Sequence, residues 1–211
     1  MDLRWNIAQA LEIRWWNWYL KGKEPGNYLK WKRQYWFDFF QRFGIPVSPS
    51  GQLLEVGCGP AGAFLILPKE NLTVLDPLLP VYRRKHPEIT QAYFDELNTI
   101  EVPIEQWSSP AMFDHIFCFN VINHTARLDL SIEKLAGAMR QGARLYLSVD
   151  CHRYRLLKWL FRAIPGDVLH PQQLGADEYV AKFRNAGLSL VESGLIRREP
   201  IFDYQLFIFE K

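Results

Sequence analysis

The chain has 211 residues, enough for one domain with a substantial core and too few for a comfortable second catalytic domain. Charged residues make up 23% of it and the formal net charge is only +2, which argues against a generally basic nucleic-acid binder. Cys58, Cys118 and Cys151 are widely spaced without a Cys-x-x-Cys pair, so neither a disulfide framework nor a zinc ribbon is expected, and a reducing cytoplasm is the simplest setting.

Met1-Asp2-Leu3-Arg4 opens without a basic leader, so no signal peptide is expected, and nothing approaches the roughly 20 uninterrupted apolar residues of a membrane span. Asp2 to about Leu20 and Tyr28 to about Phe43 read as two helices split by the turn chemistry of Lys21 to Asn27. Six of the eight tryptophans fall here, and residues 1–43 carry eight Lys/Arg against four Asp/Glu. The Trp15/Tyr19 and Tyr35/Phe39 pairs, four residues apart, suit a helical lid that packs over a cleft while its basic residues snorkel. Apolar residues wrap around both helices and form no single stripe, which predicts burial. Residues 1–50 are thus expected to be a lid and linker, with the main domain over 51–211.

Leu53 to Gly62 is the most informative stretch. Leu53, Leu54 and Val56 read as a strand covered on both faces, Glu55 projects from it, and Gly57, Gly59 and Gly62 allow backbone to approach a ligand. The helix expected next would point unpaired N–H groups at that ligand, although Pro68 keeps it short. Thr73-Val74-Leu75-Asp76 is a second strand ending in an acid roughly 20 residues after the turn, the spacing of a ribose contact.

Further strands are predicted near 100–104, 113–120 and 143–150, with helices between, and Leu188–Ile196 with Ile201–Phe209 closes the chain as a strand pair. Helices are also predicted over Arg153–Ala163 and Asp177–Ala186. Alternating strands and helices specify an α/β fold with a parallel sheet. Ligands of such sheets bind beyond the strand carboxyl ends, which gathers Glu55, Asp76, Asn120 and Asp150 on one edge.

Glu55-Val56-Gly57-Cys58-Gly59 resembles the first motif of the class I S-adenosylmethionine-dependent methyltransferases. Phe113 to Asn120 resembles their fourth strand, with Val121 to His124 in the loop that faces the methyl group. Met139 to Asp150 is similar to their helix end, glycine turn and fifth strand. The resemblance implies a Rossmann-like seven-stranded sheet, mostly parallel with one antiparallel strand, helices on both faces, and S-adenosylmethionine as cofactor. It implies cofactor contacts at Glu55, Gly57, Cys58, Gly59, Asp76 and Asn120, and an adenine pocket near Glu105, Gln106 and Trp107.

Such an enzyme would methylate an oxygen or nitrogen of a small, partly apolar molecule. His124 is the candidate general base, because a histidine titrates near neutrality and the resemblance implies one at that place; His152 and His170 are further candidates. Tyr28, Trp31 and Tyr35 of the lid, with Asn123 and Asp150, are candidate acceptor contacts. No metal site is expected, since the histidines show no ligand spacing. Two other readings stay open. The glycine pattern also occurs in nicotinamide-dependent oxidoreductases, and the tryptophan-rich start would suit a non-catalytic membrane-surface or interaction module without stable insertion.

Overall fold

The computed structural model of the chain describes residues 3–153 and 174–211. Helices α1 (Leu3–Leu20) and α2 (Pro25–Arg42) lead into strand β1 (Leu53–Val56). The remaining strands are β2 (Leu72–Leu75), β3 (Asn98–Ile100), β4 (Phe113–Phe119), β5 (Met139–His152), β6 (Ser189–Arg198) and β7 (Phe202–Glu210). Helices α3 (Leu79–Lys85), α4 (Pro87–Phe94), α5 (Leu128–Ala138) and α6 (Ala176–Asn185) fall between them. One seven-stranded sheet runs β3-β2-β1-β4-β5-β7-β6, with β7 antiparallel to both its neighbours. This is the α/β, Rossmann-like sheet expected from the sequence.

Alternation along the strands builds a core on each face. Leu53, Val74, Phe117 and Tyr146 join Phe39 and Phe40 of α2 on one side, while Leu54, Val56, Ile116 and Leu145 join α5 and α6 on the other. In β1 that alternation turns Glu55 to the same face as Leu53, toward α1 and α2. Phe40 stacks on Phe117 at 5.6 Å and is fully buried, a side chain worth roughly 1.5–3 kcal/mol when removed from water.

The first two helices are tied to the sheet at several points. Trp36 Nε1 donates to the Ala61 carbonyl at 3.1 Å, and the Arg42 guanidinium donates to the Leu195 and Ile196 carbonyls at 3.0 and 3.1 Å. In α1, Asn17 Oδ1 meets His86 Nε2 at 3.0 Å. The expected burial of these helices is only partly met: Trp15, Trp18 and Trp31 are 47%, 72% and 52% exposed.

Several boundaries differ from expectation. Helix α2 begins at Pro25 and not at Tyr28, because the Glu24 carboxylate caps it by accepting from the amides of Gly26 (3.0 Å) and Asn27 (2.6 Å), and proline suits the first helical turn. Strand β3 covers Asn98–Ile100 and not 100–104; Pro103 has no N–H for a ladder, and Ile104–Gln106 closes a 3₁₀ turn. Met139 is already paired with Phe113, so Gly142 (φ +77°) sits inside β5 and no glycine turn precedes it. After the glycine turn of β1 there is one 3₁₀ turn, Ala63–Leu65, where a short helix was expected. The helix predicted over Arg153–Ala163 lies almost wholly outside the described residues.

Candidate active site

Beyond the carboxyl ends of β1, β2 and β4 lies a cavity of about 580 Å³, closed on its far side by α1 and α2. Its wall brings together Glu55, Gly57, Cys58, Gly59, Asp76, Glu105, Asn120, His124 and Asp150, with Tyr35 from α2. Ten of the residues predicted from sequence therefore share one surface.

The glycine turn is fitted from both sides. Gly57 has φ +65° and Gly59 φ +56°, backbone that residues with a Cβ rarely adopt. A Cβ on Gly57 would overlap the Val121 side chain, and one on Gly59 would come 3.2 Å from the Trp16 ring of α1. Both carboxylates of the turn are already engaged. Glu55 accepts from the amides of Ala63 (2.7 Å) and Phe64 (2.6 Å), and Asp76 from those of Gly59 (2.9 Å) and Leu78 (2.8 Å). The amides expected to point at a ligand are thus capped by Glu55, a correction to the sequence reading. Burial pushes the Glu55 carboxyl up to about 8 and that of Asp76 up to about 6, against the pull of those amide donors. The Cys58 thiol, buried beside both acids, is also pushed well up and stays protonated.

Asn120 follows β4 with φ +57°, the one left-handed non-glycine among the described residues. Its amide is held by the Ser148 carbonyl (2.8 Å) and hydroxyl (3.1 Å). Asparagine tolerates this conformation better than other residues with a side chain, and such strain collects at functional edges. His124 lines the cavity from the 3₁₀ turn Ile122–His124. Asp150 and Tyr204 are register partners on β5 and β7, and the Tyr204 hydroxyl lies 2.6 Å from Ser148 Oγ.

Other predicted residues lie elsewhere. Trp107 is buried in the opposite core, its ring 6.0 Å from that of Phe113, and cannot stack a base in the cavity. Gln106 is exposed off the cavity wall. Glu105 does line it, but Oε1 also accepts from the amides of Ala126 (2.8 Å) and Arg127 (3.2 Å) ahead of α5. Tyr28 is buried between Tyr19 and Trp31, Trp31 points outward, and Asn123 is buried; none of the three reaches the cavity. His152 is buried against Phe202 away from the cavity, and His170 lies outside the described residues.

The structure adds residues that the sequence reading omits. Lys32 lines the cavity with its ammonium 4.9 Å from the Tyr35 ring centre and 5.4 Å from that of Trp36. Burial lowers its amine to about 8, while the Glu55 charge pulls it up. Aromatic residues one, three and four positions away were a readable signal for this cage. Gln9, Glu12 and Trp16 come from α1, and Arg197 and Tyr204 from the last two strands. Among the described residues, no cluster of three or more His, Cys, Asp or Glu side chains suits a metal ion, and no helix is long and apolar enough to cross a membrane.

The N-methyltransferase NodS from Bradyrhizobium japonicum WM9, solved with S-adenosyl-L-homocysteine, has a TM-score of 0.67 at 18% identity, over 99% of this chain and 98% of that one. The 1,6-didemethyltoxoflavin-N1-methyltransferase of Burkholderia thailandensis, solved with 1,6-didemethyltoxoflavin and S-adenosylhomocysteine, gives 0.63 at 14% identity, over 100% and 91%. The [4+2]-cyclase SpnF gives 0.63 at 13%, over 85% and 80%, so the fold alone does not dictate the reaction. No curated protein matches the chain in sequence. A family model described as a methyltransferase domain, however, matches residues 28–193, from within α2 into β6. The chain belongs to this methyltransferase-domain family.

Proposed function

We propose that the protein is a cytoplasmic S-adenosylmethionine-dependent methyltransferase acting on an oxygen or nitrogen of a small, partly apolar molecule. The observation that carries this reading is a single cavity joining the glycine turn and Asp76 to an aromatic wall of Tyr35, Trp36, Phe119 and Tyr204. Its volume falls in the range of small-molecule sites. The turn leaves no room for a Cβ at Gly57, and Asp76 beside it lines the cavity as the acceptor proposed for nucleoside hydroxyls. When bound, the sulfonium cofactor supplies an activated methyl group.

The chain's own part is to position the acceptor, exclude water and take up its proton where one must leave. His124 is the proposed base, since it alone of the three candidate histidines lines the cavity among the described residues. Tyr35 and Asp150 are the proposed acceptor contacts. The family match sets aside the nicotinamide reading. A screen of small hydroxyl and amine compounds with methyl-labelled S-adenosylmethionine tests the proposal. Label should reach a small product with the wild type and not with Gly57→Arg; equal transfer by both would overturn it.

Exposed Trp15, Trp18 and Trp31 support a second reading, a membrane-surface module built on the same scaffold. Co-sedimentation with anionic vesicles by a protein that binds no S-adenosyl ligand would favour it.

A further inference from the structure

Helix α1, which lies outside the residues matched by the family model, places an acid against the cavity. Gln9, Glu12 and Trp16 recur at helical spacing, and all three line the cavity beside Gly59 and Asp76. Tyr82 of α3, fully buried, donates its hydroxyl to Glu12 Oε1 at 3.2 Å. Asp76 takes its two donors from backbone, and neither acid forms an ion pair among the described residues. The groups facing Glu12 are Asp76 after β2, Tyr82 on α3 and Trp16 on its own helix; Cys58 in the turn adds a thiol kept neutral by burial. Arg83, the cation of α3 that bears on Cys58, is engaged by Glu101.

Glu12 takes a second hydrogen bond from Trp16, so what the two acids lack is a cation, and one neighbouring acceptor lacks a donor. Gln9 Oε1 is buried there without a hydrogen-bond partner. Burial and the neighbouring Asp76 charge push the Glu12 carboxyl up to about 7, as two close carboxylates without a cation require. A ligand relieves this patch by bringing hydroxyl donors. A cation is the other solution, but the described residues offer no three-ligand cluster for a metal here.

We infer that α1 completes the nucleoside site, with Glu12 and Gln9 accepting from one side of a vicinal diol whose other side faces Asp76. The lid is then part of the cofactor site and not only a cover for the acceptor. This rests on the proposed cofactor reading, which supplies the diol as the ribose of an S-adenosyl ligand.

Calorimetry on the full chain tests it, using S-adenosylhomocysteine and its 2′,3′-dideoxy analogue against wild type, Glu12→Gln and Glu12→Ala. The alanine variant should lose about tenfold in affinity for S-adenosylhomocysteine, and less than twofold for the dideoxy analogue. The glutamine variant keeps an acceptor oxygen and should fall between, which guards against a folding defect in the alanine variant. Equal losses for both ligands would mean that Glu12 only shapes the helix, and no loss for either would mean that it does not touch the ligand; each overturns the inference. If the wild type binds the dideoxy analogue as tightly as the natural nucleoside, the diol is not read and the inference fails while the cofactor reading stands. Binding of neither ligand by the wild type would end both.

Discussion

Trp36 and Ala61 join the second helix to the glycine turn: the buried indole donates to the Ala61 carbonyl at 3.1 Å while its ring stacks on Phe119 at 5.3 Å. Trp36→Phe keeps most of the ring and loses the donor, leaving a buried carbonyl without its partner. Unfolding in urea should show a loss of about 1–2 kcal/mol. An unchanged midpoint would mean that water replaces the indole N–H and that the helix is not held by this bond.

Asn120 tests whether the end of β4 is strained. Asn120→Gly should leave stability unchanged or slightly raised, because φ +57° costs glycine nothing, whereas Asn120→Val should lower it by about 1–2 kcal/mol. Equal effects from both substitutions would indicate that the asparagine side chain matters and the backbone does not.

Three raised carboxyls set the pH dependence of the ligand-free fold. Asp76, Glu12 and Glu55 sit at about 6, 7 and 8, each above its unfolded value, so the native state holds more protons than the unfolded chain between pH 5 and 8. Their contribution is complete at low pH and is lost as pH rises through those values. His86, His115 and Lys32, lowered by burial, act in the opposite sense. The three acids outweigh them, and the thermal midpoint should fall by about 3 °C or more from pH 6 to pH 8. A midpoint that rises over this interval would show the acids to be ionised in the fold.

Lys32 offers a chemical check on the aromatic cage. An amine near 8 is half neutral at pH 8, where an ordinary exposed lysine is almost wholly charged. Trinitrophenylation followed by peptide mapping should give Lys32 a reactivity profile centred near pH 8, with slower labelling when S-adenosylhomocysteine is present. A profile that follows the other lysines would place its amine in water.

His124 and His152 should separate in turnover. His124→Gln should lower kcat at least tenfold on an acceptor found by the label screen, with cofactor affinity within twofold, and His152→Gln should leave both unchanged. Unchanged turnover in His124→Gln would remove the histidine from proton transfer.

The sheet and the glycine-turn side of the cavity were legible because the information is local. Four buried residues in β1, glycines that must take positive φ, and an acid after β2 each leave a short pattern. The opposite wall was legible only at Tyr35 and Asp150, because Tyr204 meets Asp150 through the β5–β7 register and Arg197 arrives from the neighbouring edge strand. Trp107 misled because an aromatic beside a strand end reads the same whether it faces a cavity or the core. Glu12 was overlooked as a single acid in an aromatic helix, whose meaning depends on where α1 crosses Asp76.

The proposed function requires this cavity to hold an S-adenosyl nucleoside on the glycine turn. Titration calorimetry with S-adenosylhomocysteine measures that directly, with Gly57→Arg as the comparison. Saturable one-site binding by the wild type, abolished in a Gly57→Arg protein that still unfolds cooperatively, is the expected result. No detectable binding by the wild type at millimolar ligand would overturn the proposed function.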